Sequence, residues 1–197
     1  DGLITVAGEL GYDTTVAALN GCAFVYPDVE LPGDSVECRE FRSAVFEFAT
    51  SARPVAVVIS NWSTAFVSID ASDSRRRWVS GHVGLFEVFN DLGVPVILIS
   101  SYPAGDDHSI SRSLIVRPDA DRSTDASRRR EDRAWLIELE IQMAAGYDEV
   151  YVIDPYEVLC DQTDCWTAVG GTEYYTDTSH LSKPGSLLLA PSLAEIL

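Results

Sequence analysis

Basic residues are scarce in this chain of 197 residues, where 14 Lys and Arg stand against 31 Asp and Glu for a net charge of −17. Phosphate backbones are held by clustered Lys and Arg on a favourable overall field, so a duplex DNA or RNA binder is excluded. The same deficit disfavours docking on an anionic membrane surface. Long apolar runs are missing too: none approaches the ~20 residues of a membrane span, and the opening residues do not read as a signal peptide. Metal-ligand patterns are also lacking. No CxxC occurs, and no cysteine has a histidine at zinc-ligand spacing. His108 beside Asp106 and Asp107 reads as solvent-exposed loop, and His82 as a surface or capping residue at a helix start. Neither a metal nor a cofactor is expected.

What is present is a foldable core. Hydrophobic residues make up 46% and aromatics 10%, which excludes disorder as a description of the whole. The length suits one domain, residues 1–197, on the usual prior of roughly 100–200 residues per domain. The four cysteines, Cys22, Cys38, Cys160 and Cys165, allow three pairings that sequence alone does not choose between. Two local bridges are the economical choice, each tying down a Gly/Asp/Pro-rich loop, and closing the longer would stabilise by about 3 kcal/mol. Four reduced thiols are the alternative. Disulfides would imply an oxidising, extracytoplasmic compartment.

Apolar periodicity alternates along the chain. Residues 2–10 predict a helix, residues 14–19 a β-branched strand, and residues 38–52 a helix with Phe41, Val45, Phe48 and Ala49 on one face. Residues 55–59 and 94–100 are continuous apolar runs of the kind buried on both faces of a parallel sheet, separated by a helix over 84–92. Residues 103–127 are polar and read as a surface excursion, 128–146 as a helix, 149–153 as the last strand, and Pro184 opens a C-terminal helix. The order predicts a three-layer α/β/α fold with a parallel sheet. It starts on a helix, so a first strand is expected to lie ahead of Asp1. The arginine runs 75–77 and 128–130 are interleaved with acids and belong on solvated surface.

The stretch Tyr174-Tyr175-Thr176-Asp177-Thr178-Ser179-His180-Leu181-Ser182 carries the chemistry. It follows the last strand and precedes the C-terminal helix, at the edge where α/β sheets place active sites. An acid three residues before a histidine can orient the imidazole through Nδ1–H and direct Nε2 toward the proton of a nucleophilic hydroxyl. The plainer alternative is an Asp/His pair that tightens a turn.

Asp177-x-x-His180-Leu181-Ser182, followed by Pro184-Gly185, resembles the closing block of SGNH/GDSL hydrolases. More narrowly, the chain resembles the SGNH domain attached to acyltransferase-3 membrane proteins, where a Tyr-x-Asp-x-x-His-Leu-Ser stretch follows a small cysteine-bridged loop. Cys160 and Cys165 stand in that place after Asp154-Pro155, and Cys22 and Cys38 match an early pair. The resemblance implies a flavodoxin-like SGNH fold in which His180 acts as base and then acid, and Asp177 orients it. It places the second-block glycine at Gly21 and the third-block asparagine at Asn61, as oxyanion-hole donors worth roughly 3–4 kcal/mol each. A turn glycine and a strand-end cap are the plain alternatives for these two. Ser60 and Trp62 depart from the family's G-x-N-D form around Asn61.

The family's nucleophile stands in a Gly-Asp-Ser block after a strand. Gly33-Asp34-Ser35 is present, but the prolines and acids of residues 27–32 stand where a buried strand is required, so Ser35 is read as a decoy. The serine is expected upstream of Asp1, together with the first strand. The resemblance further implies an acyl donor, a saccharide acceptor in a cell-envelope glycan or glycolipid, and an N-terminal acyltransferase-3 membrane domain in the same polypeptide. Such a domain would work outside the cytoplasm, tethered to the membrane. Trp62, Trp78, Trp166, Tyr174 and Tyr175 offer faces for sugars, or else serve as packing. A free-standing carbohydrate esterase and an inactive glycan-binding SGNH module are the competing expectations.

Overall fold

The computed structural model describes residues 2–61, 63–67, 71–103, 121–131, 133–177 and 180–197. Its elements in chain order begin with helices α1 (Gly2–Glu9) and α2 (Val36–Ala52), strand β1 (Val57–Ser60), helix α3 (Ser72–Asp91) and strand β2 (Val96–Ile99). Strand β3 (Arg122–Asp125), helices α4 (Ala126–Glu131) and α5 (Ala134–Ala144), and strand β4 (Val150–Ile153) follow. The chain closes with helix α6 (Tyr156–Leu159), strands β5 (Asp164–Val169) and β6 (Thr172–Glu173), and helices α7 (Lys183–Leu187) and α8 (Ala190–Ile196). They divide between two compact units. Asp1–Thr15, Tyr102–Ala134 and Asp154–Leu197 form one, and Val16–Ser101 with Trp135–Ile153 form the other.

The second of these units holds the parallel sheet, in the order β1-β2-β4. Val96, Ile97, Leu98 and Ile99 of central β2 are all buried, as an uninterrupted apolar run requires in a strand covered on both faces. The run at 55–59 behaves differently. Only residues from Val57 onward are strand, and Val55 and Val58 are 61% and 40% exposed. Among the described residues β1 has a neighbour on one side only, so apolar composition outran burial there.

Residues 14–19 form no strand: Val16 and Leu19 are exposed, and the chain enters the core later, at Ala23 and Val25. Branched side chains favour a strand only where a sheet surface receives them. Helix α2 forms as expected, but its inward stripe carries Cys38 and Arg42 while Phe48 is 55% exposed. Helix α3 starts at Ser72, well before the predicted 84, because Gly81 and Gly84 are packing glycines inside it. A Cβ on Gly81 would come within 2.7 Å of Val25 Cβ, and one on Gly84 within 2.8 Å of the Tyr26 ring. Trp78, Leu85, Phe86 and Phe89 from this helix fill the centre of the unit.

The other unit contains an antiparallel sheet, β3-β5-β6, that the sequence did not announce. Strand β3 arises at the end of the polar 103–127 stretch, of which residues 104–120 lie outside the described residues. The predicted helix over 128–146 is two helices, α4 and α5, and β4 is not the last strand. Ser182 caps α7, accepting from the Gly185 N–H at 3.1 Å, with Pro184 in the first turn as predicted. Helix α1 packs against α7 and α8, and the Tyr12 hydroxyl donates to the Leu197 carbonyl at 3.2 Å.

Candidate active site

The segment from Tyr174 to Ser182 is closed at its base by backbone bonds. Ser182 N–H donates to the Tyr174 carbonyl at 2.9 Å, and Thr176 N–H donates to the His180 carbonyl at 2.9 Å. Tyr175 and Leu181 pair between them as an antiparallel bridge. The Ser182 hydroxyl donates to the Glu173 carbonyl at 2.6 Å, so one side chain serves both this loop and the helix behind it. Thr178 and Ser179 lie outside the described residues.

In this segment Asp177 Oδ1 accepts the backbone N–H of His180 at 2.8 Å, and Oδ2 lies 2.7 Å from Nδ1. A carboxylate accepts, so Nδ1 is the proton-bearing nitrogen and Nε2 the one suited to exchange a proton with a hydroxyl. Both side chains are well exposed, at 69% for His180 and 53% for Asp177. Water screens such a pair, so its worth lies in orientation rather than in stability.

Tyr102 stands beside this dyad, a residue that sequence reasoning passed over. Burial raises its phenol pKa, and the negative charge of Asp177 raises it further. Its ring meets Tyr175 edge-on at 6.4 Å, and the Tyr175 hydroxyl donates to the Pro103 carbonyl at 2.6 Å. The available signal was position, two residues past the end of the β2 run, where α/β sheets gather their sites.

Asn61 and Gly21 belong to the other unit. Gly21 is exposed with φ +74, a left-handed turn conformation natural to glycine. Asn61 follows β1 directly and is 8% exposed. Its Oδ1 accepts from Phe24 N–H at 2.9 Å and its Nδ2 donates to the Phe24 carbonyl at 3.1 Å. Its Nδ2 also meets His82 Nε2, at a longer 3.4 Å. An oxyanion role for this amide would mean trading that longer contact. His82 itself is neither a surface nor a capping residue: it is fully buried in the middle of α3, and burial lowers its pKa to about 4.

Glu140 was also missed. It is completely buried and accepts from the Ser63 hydroxyl at 3.1 Å and from the Ser100 hydroxyl, bridging the ends of β1 and β2. Its place in an amphipathic helical pattern gave no sign of this. Asp34 and Ser35 of the Gly33-Asp34-Ser35 triplet make scaffold contacts. Asp34 forms a buried two-point ion pair with Arg42, and Ser35 accepts from Cys38 N–H at 3.2 Å as the N-cap of α2. The bridges are Cys22–Cys38 and Cys160–Cys165. Of the aromatics considered for sugars, Trp78 and Tyr175 are buried packing, Trp166 and Tyr174 are half-buried, and Trp62 lies outside the described residues. His108, Asp106 and Asp107 also lie outside them.

A family model described as the SGNH domain fused to AT3 domains matches residues 1–195. The chain belongs to this family. No curated protein matches the sequence. Among solved structures, this SGNH domain is similar to the periplasmic domain of a lipopolysaccharide acetyltransferase of Salmonella ser. Paratyphi A. The TM-score is 0.66 at 14% identity, covering 98% of this chain and 76% of that one. It is also similar to a protein assigned to the SGNH hydrolases from Slackia heliotrinireducens, with a TM-score of 0.54 at 17% identity over 98% and 88% of the two chains. At such identities the likeness shows the fold. Family membership supports acyl-related chemistry of the esterase or acyltransferase type. Among the described residues of the SGNH domain, no helix is long and apolar enough to cross a membrane.

Proposed function

We propose that this SGNH domain carries out serine-dependent acyl transfer, moving an O-acetyl or other O-acyl group to or from a saccharide hydroxyl of a cell-envelope glycan or glycolipid. The observation that carries the reading is the two-point hold of Asp177 on His180, which fixes the imidazole ring and its tautomer. In this mechanism His180 Nε2 takes the proton of a serine hydroxyl as that oxygen attacks the acyl carbonyl. The same imidazolium then gives the proton to the departing oxygen, leaving an acyl-serine. The saccharide hydroxyl, deprotonated by His180, attacks this ester and regenerates the serine.

The nucleophile we propose is the family's first-block serine, ahead of α1. Two observations favour that over Ser35: Ser35 is engaged as a helix cap, and α1 packs on the two helices that follow His180 in the chain. Gly21 and Asn61 are proposed to serve the oxyanion. The two disulfides support a location outside the cytoplasm, and the family description supports an AT3 membrane domain in the same polypeptide.

The test is p-nitrophenyl acetate turnover by the full-length protein, with an oligosaccharide added as acceptor, compared with His180→Ala. Acylated oligosaccharide formed by the wild type and lost in the variant supports the reading. Equal rates in the two proteins remove His180 from the mechanism. Release of acetate with no acylated sugar points to an esterase, and sugar binding without turnover to a glycan-binding module.

A further inference from the structure

Segment 23–26 enters the core without a strand partner among the described residues, yet it is held closely. Gly81 and Gly84 let α3 approach Val25 and Tyr26, and Tyr26 N–H donates to the Gly81 carbonyl at 2.9 Å. Phe24 has both backbone groups bound by one side chain, the Asn61 carboxamide, at 2.9 and 3.1 Å. That is the donor–acceptor pattern a neighbouring strand would provide.

Behind Asn61 stands His82. Its Nδ1 lies 3.0 Å from the Trp78 carbonyl, and its Nε2 lies 3.4 Å from Asn61 Nδ2. A carbonyl can only accept, so the proton sits on Nδ1 and Nε2 presents its lone pair. Asn61 Nδ2 must donate to the Phe24 carbonyl, so its second hydrogen meets that lone pair. One tautomer of His82 and one orientation of the Asn61 amide therefore link the Trp78 carbonyl, the imidazole, the carboxamide and the Phe24 backbone in a single series. The Trp78 ring at 4.4 Å and the Phe86 ring at 6.0 Å hold the imidazole in place. Packing alone would be met by phenylalanine at this fully buried site; the polar chain is what histidine adds.

We propose that His82 is a positioning residue, which by accepting from Asn61 fixes that carboxamide and, through Phe24, the segment 21–26 that begins at Gly21. The purpose of this arrangement rests on the acyl-transfer reading above; the arrangement itself does not.

Two measurements on the full-length protein test it. Long-range 1H–15N correlation of the His82 imidazole at neutral pH is expected to show Nδ1 protonated and Nε2 bare. The opposite tautomer overturns the proposal, whatever the activity. His82→Phe keeps the ring and removes the acceptor. It is expected to speed hydrogen exchange at the Phe24 amide and to lower kcat about 10–100-fold with KM unchanged, the scale of a misplaced site group. His82→Gln, which again offers an acceptor, is expected to recover part of both. A His82→Phe protein with wild-type Phe24 exchange and wild-type kcat overturns the proposal. If that variant does not fold, the tautomer measurement decides. Failure of the acyl-transfer reading would show instead as an inactive wild type in which the tautomer and the Phe24 protection still hold.

Discussion

Asp177 holds His180 at two points, its Oδ1 on the backbone N–H at 2.8 Å and its Oδ2 on Nδ1 at 2.7 Å. Replacing the carboxylate by an amide tests what this hold does. In Asp177→Asn the Oδ1 bond to the backbone can persist, but an NH2 group facing Nδ1 favours the wrong tautomer. Turnover is expected to fall by about 10³–10⁴-fold while the melting temperature barely moves, since the exposed pair contributes little stability. Wild-type turnover in this variant would remove Asp177 from the mechanism.

Gly185 touches the same loop from behind. A Cβ there would overlap the Tyr174 carbonyl oxygen and come within 2.8 Å of its carbon. Tyr174 is the residue whose carbonyl accepts from Ser182, so Gly185→Ala pushes apart the base of the His180 loop. The expected result is a loss of about 1–3 kcal/mol in chemical denaturation, with turnover reduced even well below the melting temperature. Unchanged turnover would show that the loop base does not position His180.

Ser35 and Arg42 separate scaffold from chemistry. Ser35→Ala removes a helix cap and is expected to cost about 1 kcal/mol with turnover unchanged. A collapse in turnover instead would restore Ser35 as the nucleophile. Arg42→Met strands the Asp34 carboxylate in a site where both side chains are at most 1% exposed, at an expected cost of about 3–5 kcal/mol. Replacing both members, with Asp34→Leu added, is expected to recover much of that loss.

His82 predicts how stability depends on pH. Burial lowers its pKa to about 4, opposed by its bond to the Trp78 carbonyl. As pH falls below the unfolded value of about 6.5, the unfolded chain takes up a proton that the folded protein refuses. Stability is therefore full above that value, declines down to about pH 4, and loses no more from this group below it. The loss amounts to roughly 3 kcal/mol. Denaturation at pH 7, 5.5 and 4 should show a steeper fall in the wild type than in His82→Phe. Parallel curves would contradict it.

Several elements were legible because their causes are local. The alternation of helix and strand periods, the uniformly apolar run that became β2, and the Ser182–Pro184 start of α7 depend on neighbours in sequence. So does the Asp177–His180 pair: three residues of separation in a turn suffice to bring carboxylate and imidazole together. The short spacing of each cysteine pair likewise made the observed bridges the economical reading.

Other features were decided by partners distant in sequence. Arg42 lies on the inward face of α2 because Asp34 neutralises it, and a charged residue at that position reads as solvent-facing without its partner. Gly81 and Gly84 look like helix breakers, but α3 runs through them because Val25 and Tyr26 occupy the space a side chain would take. The antiparallel sheet was hidden for the same reason: β3 has an unremarkable polar sequence, and its hydrogen bonds come from β5, some forty residues later. His82 is the sharpest instance. One-dimensional pattern made it a surface cap, whereas burial and the fixed hydrogen bond to Trp78 make it a neutral acceptor for Asn61. The sequence by itself determined the family, through a motif compact enough to need no fold around it. Only the tertiary structure decided which polar groups are buried, because burial is set by what packs from elsewhere in the chain, and burial is what turns an ordinary side chain into a positioned one.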